Sequence, residues 1–222
     1  MTDPVGDAQT ADAIAPPAAA GGEFGLQDIL SDAFAAFQSH FGLVLGCFVV
    51  FAVLQAVCGK LPLISLFVAP HLIAGFSLVL TKVLRGAEPP AFQDLFKGFS
   101  YYIPLLVAGL LFSLFFFLGL ICLVIPGIIV GLMWSQTMFL LADDILDVEA
   151  GRKNKASLSG WGAMQRSAAL MSGHKLRFFG YTIVLAVIGM AGAVAVGIGV
   201  FITMPFAWLA GAAFYNRLSR AV

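Results

Sequence analysis

The feature that most limits what this chain can become is a long run without charge. From Tyr102 to Ala142 there is no Asp, Glu, Lys or Arg over roughly 40 residues, about twice the 20 that a helix needs to cross a bilayer core. Near the middle stands Ile125-Pro126-Gly127. Proline has no amide proton and disfavours helical geometry in the residue before it, so one helix stops there and another begins. The run predicts two transmembrane helices joined by a tight turn. Composition extends this to the whole chain, which is 60% hydrophobic and 11% charged with a mean hydropathy of +0.98, whereas a soluble domain carries about 25% charged residues. So little charge cannot cover a surface in water. The expected fold class is all-α, a polytopic helical membrane protein, with one domain over residues 26–222.

The twelve basic and twelve acidic residues cancel, which leaves no electrostatic case for binding nucleic acid. Cys47, Cys58 and Cys122 lack metal-ligand spacing. Cys47 and Cys58 lie too far apart along one helix for a disulfide, so the cysteines read as small apolar side chains. Residues 1–25 carry Asp3, Asp7, Asp12 and Glu23 but no Lys or Arg, and no apolar core of signal-peptide length. Ala, Pro and Gly dominate the middle of this stretch. It is expected to be a disordered acidic tail, with the first spanning helix acting as the insertion signal.

Taken in order, the chain alternates two kinds of segment. Leu26, Ile29, Leu30, Ala33, Phe34, Phe37 and Phe41 recur at helical spacing opposite Gln27, Asp28, Ser31 and Asp32, the pattern of an interfacial amphipathic helix. A span follows from Phe41 to Cys58, with Gly42 and Gly46 as a small pair open to another helix. Pro62 opens a second span to Leu84, where Pro70 is expected to kink the helix. Phe92, Leu95, Phe96 and Phe99 then repeat the amphipathic spacing, and Gln93-Asp94 repeats Gln27-Asp28 at a distance of 66 residues. The uncharged hairpin comes next, with Gly109 and Ser113 on one helix and Gly127, Gly131 and Ser135 on the other. A third amphipathic stretch holds Leu158, Trp161, Met164, Ala168 and Met171. It leads to a fifth span from Phe178 to Gly199, with Gly189, Ala193 and Gly197 every fourth residue, and to a sixth opened by Pro205. Amphipathic segment, span, proline-marked turn and span recur three times, so a threefold hairpin repeat is expected.

Charge sets the orientation. With six spans both termini share a side. Placing them in the cytoplasm puts eleven of the twelve basic residues inside and leaves Lys60 outside, as the positive-inside rule requires. The expected location is a bacterial inner membrane, with the lipid bilayer as the first partner and other membrane proteins or further copies of the chain as the second.

The second half carries short motifs: Asp94-Leu95-Phe96-Lys97-Gly98-Phe99, Leu123-Val124-Ile125-Pro126-Gly127, Ala163-Met164-Gln165-Arg166-Ser167 ahead of Gly173-His174-Lys175, and Gly197-Ile198-Gly199 with Pro205 and Tyr215. In these it resembles the membrane domain fused to some bacterial glycerophosphodiester phosphodiesterases and the stand-alone integral membrane families related to it. The resemblance implies a multi-helix inner-membrane protein. It carries over no enzyme activity, because the phosphodiesterase chemistry of those fusions belongs to a separate soluble domain.

A search for chemistry ends on four polar positions at membrane depth or its edge. His71 is either an ion or proton site or a neutral hydrogen-bonded helix residue. Gln136 sits high in the fourth span, where it either lines a path or bonds another helix. Asp143 and Asp147, one turn apart, either share a cation or answer Arg152 and Lys153 as solvated acids. No phosphate-cradling loop, metal cluster or paired acid and base is present, so no catalytic residue, metal or cofactor is expected. The reading is a non-enzymatic membrane protein with an organising or accessory role, in which Arg166 and Lys175 help bind anionic lipid. The alternative is a small-solute transporter or channel, since repeats and broken helices are common in transporters.

Overall fold

The computed structural model describes residues 25–86, 89–122, 124–194 and 199–221. Residues 1–24, which hold nearly all of the expected acidic tail, lie outside these, as do Leu123, Gly197 and Ile198 of the sequence motifs. Among the described residues the chain is entirely helical. In order it forms α1 (Leu26–Ser39), α2 (Phe41–Gly59), α3 (Pro62–Arg85), a 3₁₀ segment (Phe92–Tyr101), α4 (Tyr102–Cys122), α5 (Val124–Trp134), α6 (Thr137–Glu149), α7 (Gly160–Leu170), α8 (Lys175–Val194) and α9 (Val200–Ala221). Four stretches, Phe41–Gly59, Leu63–Arg85, Phe92–Cys122 and Val124–Glu149, are long and apolar enough to cross a membrane. Helices α8 and α9 pack on each other as a further pair.

Local chemistry places the helix ends where the sequence puts capping residues. The Asp28 carboxylate accepts the Gly25 amide at 2.7 Å, and 66 residues later Asp94 accepts the Ala91 amide at 2.9 Å. Each satisfies an amide that has no partner inside its helix. At α7 the Ser159 hydroxyl takes over, accepting the Gly162 amide at 3.1 Å. Pro62 opens α3, and Gly86 closes it at φ 63, a left-handed position that disfavours a Cβ.

Two expectations are refined. The second amphipathic segment is 3₁₀ rather than α. Its buried apolar positions Leu95, Gly98 and Tyr101 fall every third residue, and three residues per turn is what aligns them. Phe92, Phe96 and Phe99, expected on the same face as Leu95, point outward instead. The fourth span is broken at Ser135-Gln136. The Ser135 hydroxyl turns back onto the Leu132 carbonyl at 2.9 Å, and the Ser167 hydroxyl of α7 takes the Met133 carbonyl at 2.9 Å. Side-chain hydroxyls competing for helix carbonyls interrupt the ladder and stitch the break to its neighbour.

Packing follows small residues only in part. The 3₁₀ segment crosses α3 so closely that a methyl on Gly75 would overlap the Leu95 carbonyl, and one on Gly98 would overlap the His71 carbonyl. Gly109 receives the Pro70 ring in the same way. Gly42, Gly46 and Gly189, in contrast, have nothing within 4 Å of where a Cβ would stand, so these three positions make no close helix contact among the described residues. One core joins α2, α3 and α9 through Phe51, which stacks on Phe76 with centroids 5.0 Å apart and meets Trp208 edge-on at 5.8 Å. A second joins α3, α4 and α6 through Ala74, Leu78, Leu105, Leu141 and Ile145. Large apolar side chains such as Val53, Leu114, Ile121, Ile125 and Val187 stay exposed, a surface that water does not tolerate in patches of this kind.

Candidate functional site

The charged residues gather at one end of the bundle, where α3, α6 and α9 finish. Each of these three helices holds one amphipathic segment by an ion pair. On α3, Lys82 reaches Asp94 of the 3₁₀ segment at 3.3 Å. On α6, Asp144 receives Arg166 of α7 through both carboxylate oxygens and is also met by Lys153. On α9, Arg217 reaches Asp32 of α1 at 2.6 Å. The segments therefore dock in a cycle: the 3₁₀ segment on α3, α7 on α6 and α4, and α1 on α9. Each rests on a helix of the hairpin before it, and the first rests on the last.

Inside this ring the three helices meet one another. Arg85 of α3 donates to Asp143 of α6 at 2.8 Å and to the Asn216 side chain of α9 at 3.2 Å, and the Tyr215 hydroxyl of α9 donates to the same Asp143 oxygen as Arg85. Phe139 stacks on Tyr215 with centroids 5.6 Å apart. The second Asp143 oxygen is buried and has no hydrogen-bond partner among the described residues. Tyr215→Phe removes one bond to a charged group and is expected to cost about 2 kcal/mol, read as a lower unfolding midpoint in detergent. An unchanged midpoint would show that the hydroxyl contributes nothing to the junction.

The four sequence candidates part company here. Asp143 stands at the junction. Asp147 does not share a site with it; Arg152 covers it from the surface, through two bonds of 3.0 and 2.8 Å to one oxygen. His71 is buried and stacked on Tyr102 and Phe99, with centroids 4.4 and 5.2 Å away; Nε2 donates to the Tyr102 carbonyl at 3.1 Å, and Nδ1 is buried without a partner among the described residues. A single donor bond of that kind requires the proton on Nε2. Gln136 lies in the helix break, donates to Ser135 at 3.0 Å and keeps a buried oxygen without a partner among the described residues. These positions do not converge, and among the described residues no three His, Cys, Asp or Glu side chains come close enough to hold a metal.

The residues missed were Asp32, Lys82, Arg85, Asp94, Asp144, Tyr215, Asn216 and Arg217. A signal existed for Asp94 and Asp144, since a carboxylate beside an apolar helix face has to be buried against a cation or leave the helix. Tyr215 stood only among the motif residues of the family resemblance, with nothing in its neighbours to assign it a partner. The cations are also redistributed. Lys82, Arg85, Lys97, Arg152, Lys153, Arg166 and Arg217 are all in ion pairs, and Lys155 lies over the Tyr101 ring at 4.9 Å. The bonds from Asp144 hold the Arg166 guanidinium above its ordinary pKa against the opposing effect of burial. Arg166, expected to meet lipid headgroups, pairs with Asp144 and keeps its side chain 44% exposed. The side chains that face outward on these segments include Phe34 of α1, Phe92, Phe96 and Phe99 of the 3₁₀ segment, and Trp161 of α7, beside polar ones such as Gln27, Asp28, Gln93, Gln165 and Arg166. Comparison with protein-family models, curated proteins and solved structures finds no match.

Proposed function

We propose that this chain is a non-enzymatic membrane protein of six spans, with both termini in the cytoplasm of a bacterium and an organising role in the inner membrane. In this reading α8 and α9 complete the spans, and three hairpin repeats place three amphipathic segments on the cytoplasmic face. The observation that supports it is the cycle of docked segments that turn Phe34, Phe92, Phe96, Phe99 and Trp161 outward. Aromatic rings prefer the headgroup boundary, and amphipathic segments held there change how lipids pack. Because most cations are engaged internally, the contact with lipid is aromatic first and electrostatic second. The relation to the phosphodiesterase-linked membrane families is part of the same proposal and rests on the short motifs alone.

Two measurements test it. Reconstituted into vesicles of dioleoyl phosphatidylcholine and phosphatidylglycerol, the protein should reduce vesicle diameter as its ratio to lipid rises. With Trp134 and Trp208 replaced by phenylalanine, Trp161 should be quenched by lipids brominated near the headgroup. Vesicles of unchanged size would remove the organising role, and an unquenched Trp161 would remove the interfacial placement.

The broken helix at Ser135-Gln136, with buried polar atoms on Gln136, Thr137, Ser77 and His71 that lack partners among the described residues, favours the transporter as a second reading. Irregular backbone at membrane depth is tolerated where it is buried in protein or lines a cavity. Release of small solutes from the same vesicles, lost in Gln136→Ala and His71→Ala, would decide for it.

A further inference from the structure

The docking cycle and the central junction are built from neighbouring residues on the same three helices. On α3, Lys82 holds the 3₁₀ segment and Arg85, less than one turn on, enters the junction. On α6, Asp144 holds α7 and the adjacent Asp143 enters the junction. On α9, Arg217 holds α1 and the two residues before it, Tyr215 and Asn216, enter the junction. A displacement of any segment against the bundle therefore acts within one helical turn of the junction.

We infer that the three amphipathic segments are straps that couple lipid packing at the headgroup boundary to the opening and closing of the Arg85–Asp143–Tyr215–Asn216 junction. This deepens the membrane-organising reading and rests on the interfacial placement of the segments.

Three observations carry it. The straps present Phe34, Phe92, Phe96, Phe99 and Trp161 outward, and the depth of such rings depends on how tightly the headgroups pack. The 3₁₀ strap is held tightly on its inner side. The 3₁₀ segment meets α3 backbone to backbone at Gly75 and Gly98, and its Asp94 carboxylate is 2% exposed, so it cannot move without moving α3. Finally, the junction is incompletely bonded. Both hydrogen bonds to Asp143 fall on one carboxylate oxygen while the other is buried and unpartnered among the described residues. A buried oxygen in that state carries a desolvation cost, which narrows the gap to an alternative arrangement that supplies it with a partner. Packed interfaces respond to small displacements by switching between discrete arrangements.

The test places spin labels at the ends of α6 and α9, Ala150→Cys and Arg220→Cys, both exposed, after Cys47, Cys58 and Cys122 are replaced by alanine. The protein is reconstituted in dioleoyl phosphatidylcholine and phosphatidylglycerol. It is then reconstituted again with part of the phosphatidylcholine exchanged for dioleoyl phosphatidylethanolamine, whose smaller headgroup loosens the interface at constant chain length. The label distance should differ between the two mixtures by about 2 Å or more, the scale of helix shifts in known switches. Replacing Phe34, Phe92, Phe96, Phe99 and Trp161 with serine should abolish the difference. Arg85→Gln, which leaves the straps intact and cuts the junction, should give one distance in both mixtures. A label distance independent of lipid in the parent protein, or a lipid response that survives either variant, overturns the inference. A quenched Trp161 beside a lipid-independent distance would sink the coupling alone, whereas an unquenched Trp161 would sink the interfacial placement itself.

Discussion

Asp94→Leu is expected to destabilise the protein by about 3–5 kcal/mol, the usual effect of removing one partner from a buried ion pair. The carboxylate is 2% exposed and Lys82 5%. Asp94 receives Lys82 and Lys97 on one oxygen, at 3.3 and 2.8 Å, and the Ala91 amide on the other at 2.9 Å. Lys97 can turn toward Glu149, which it already meets at 2.9 Å, while the buried Lys82 loses the carboxylate opposite it. The same substitution uncaps the 3₁₀ segment. Unfolding in mixed detergent micelles with rising dodecyl sulfate measures the loss. The double variant Lys82→Met/Asp94→Leu should recover a large part of it, because the cost of burying either charge then disappears. If the single variant unfolds with the parent protein, the pair does not hold the segment to α3.

Gly75→Ala is the second large effect, expected at about 3 kcal/mol or more, the upper range for overpacking. A methyl group there coincides with the Leu95 carbonyl, and because that atom is backbone the whole 3₁₀ segment must lift off α3. Gly98→Ala should act alike from the other side, against the His71 carbonyl. Gly42→Ala supplies the control. It has nothing within 4 Å, and alanine is the better helix former by about 1 kcal/mol, so this variant should match or exceed the parent in a thermal melt. Equal melting of Gly75→Ala and Gly42→Ala would show that the crossing is looser than described.

The two variants mark where reading by residue pattern stops. Gly42 and Gly46 have the spacing expected of a helix contact, yet face open space, while Gly75 and Gly98 have no such spacing and make the closest contact of the 3₁₀ segment with α3. A small-residue pattern says that a helix can be approached, not what approaches it. Phe92, Phe96 and Phe99 teach the same about faces. Their spacing matched an α-helix, but the buried apolar set is Leu95, Gly98 and Tyr101, and a change from 3.6 to three residues per turn reassigns the sides. Asp143 and Asp147 were also inseparable by spacing. One is held at a three-helix junction and the other sits on the surface with Arg152.

The primary structure by itself determined that the chain is helical, that long uncharged stretches must leave water, and where most segments begin and end. These follow from hydropathy, proline and capping side chains, all of which act within a few residues. Only the tertiary structure decided which segment rests on which helix, that α1 closes a cycle by reaching α9, and that Arg85, Asp143, Tyr215 and Asn216 meet. Those contacts join residues 12 to 185 positions apart. The cost of burying a charge decides such pairings, and that cost depends on what the rest of the fold brings alongside it.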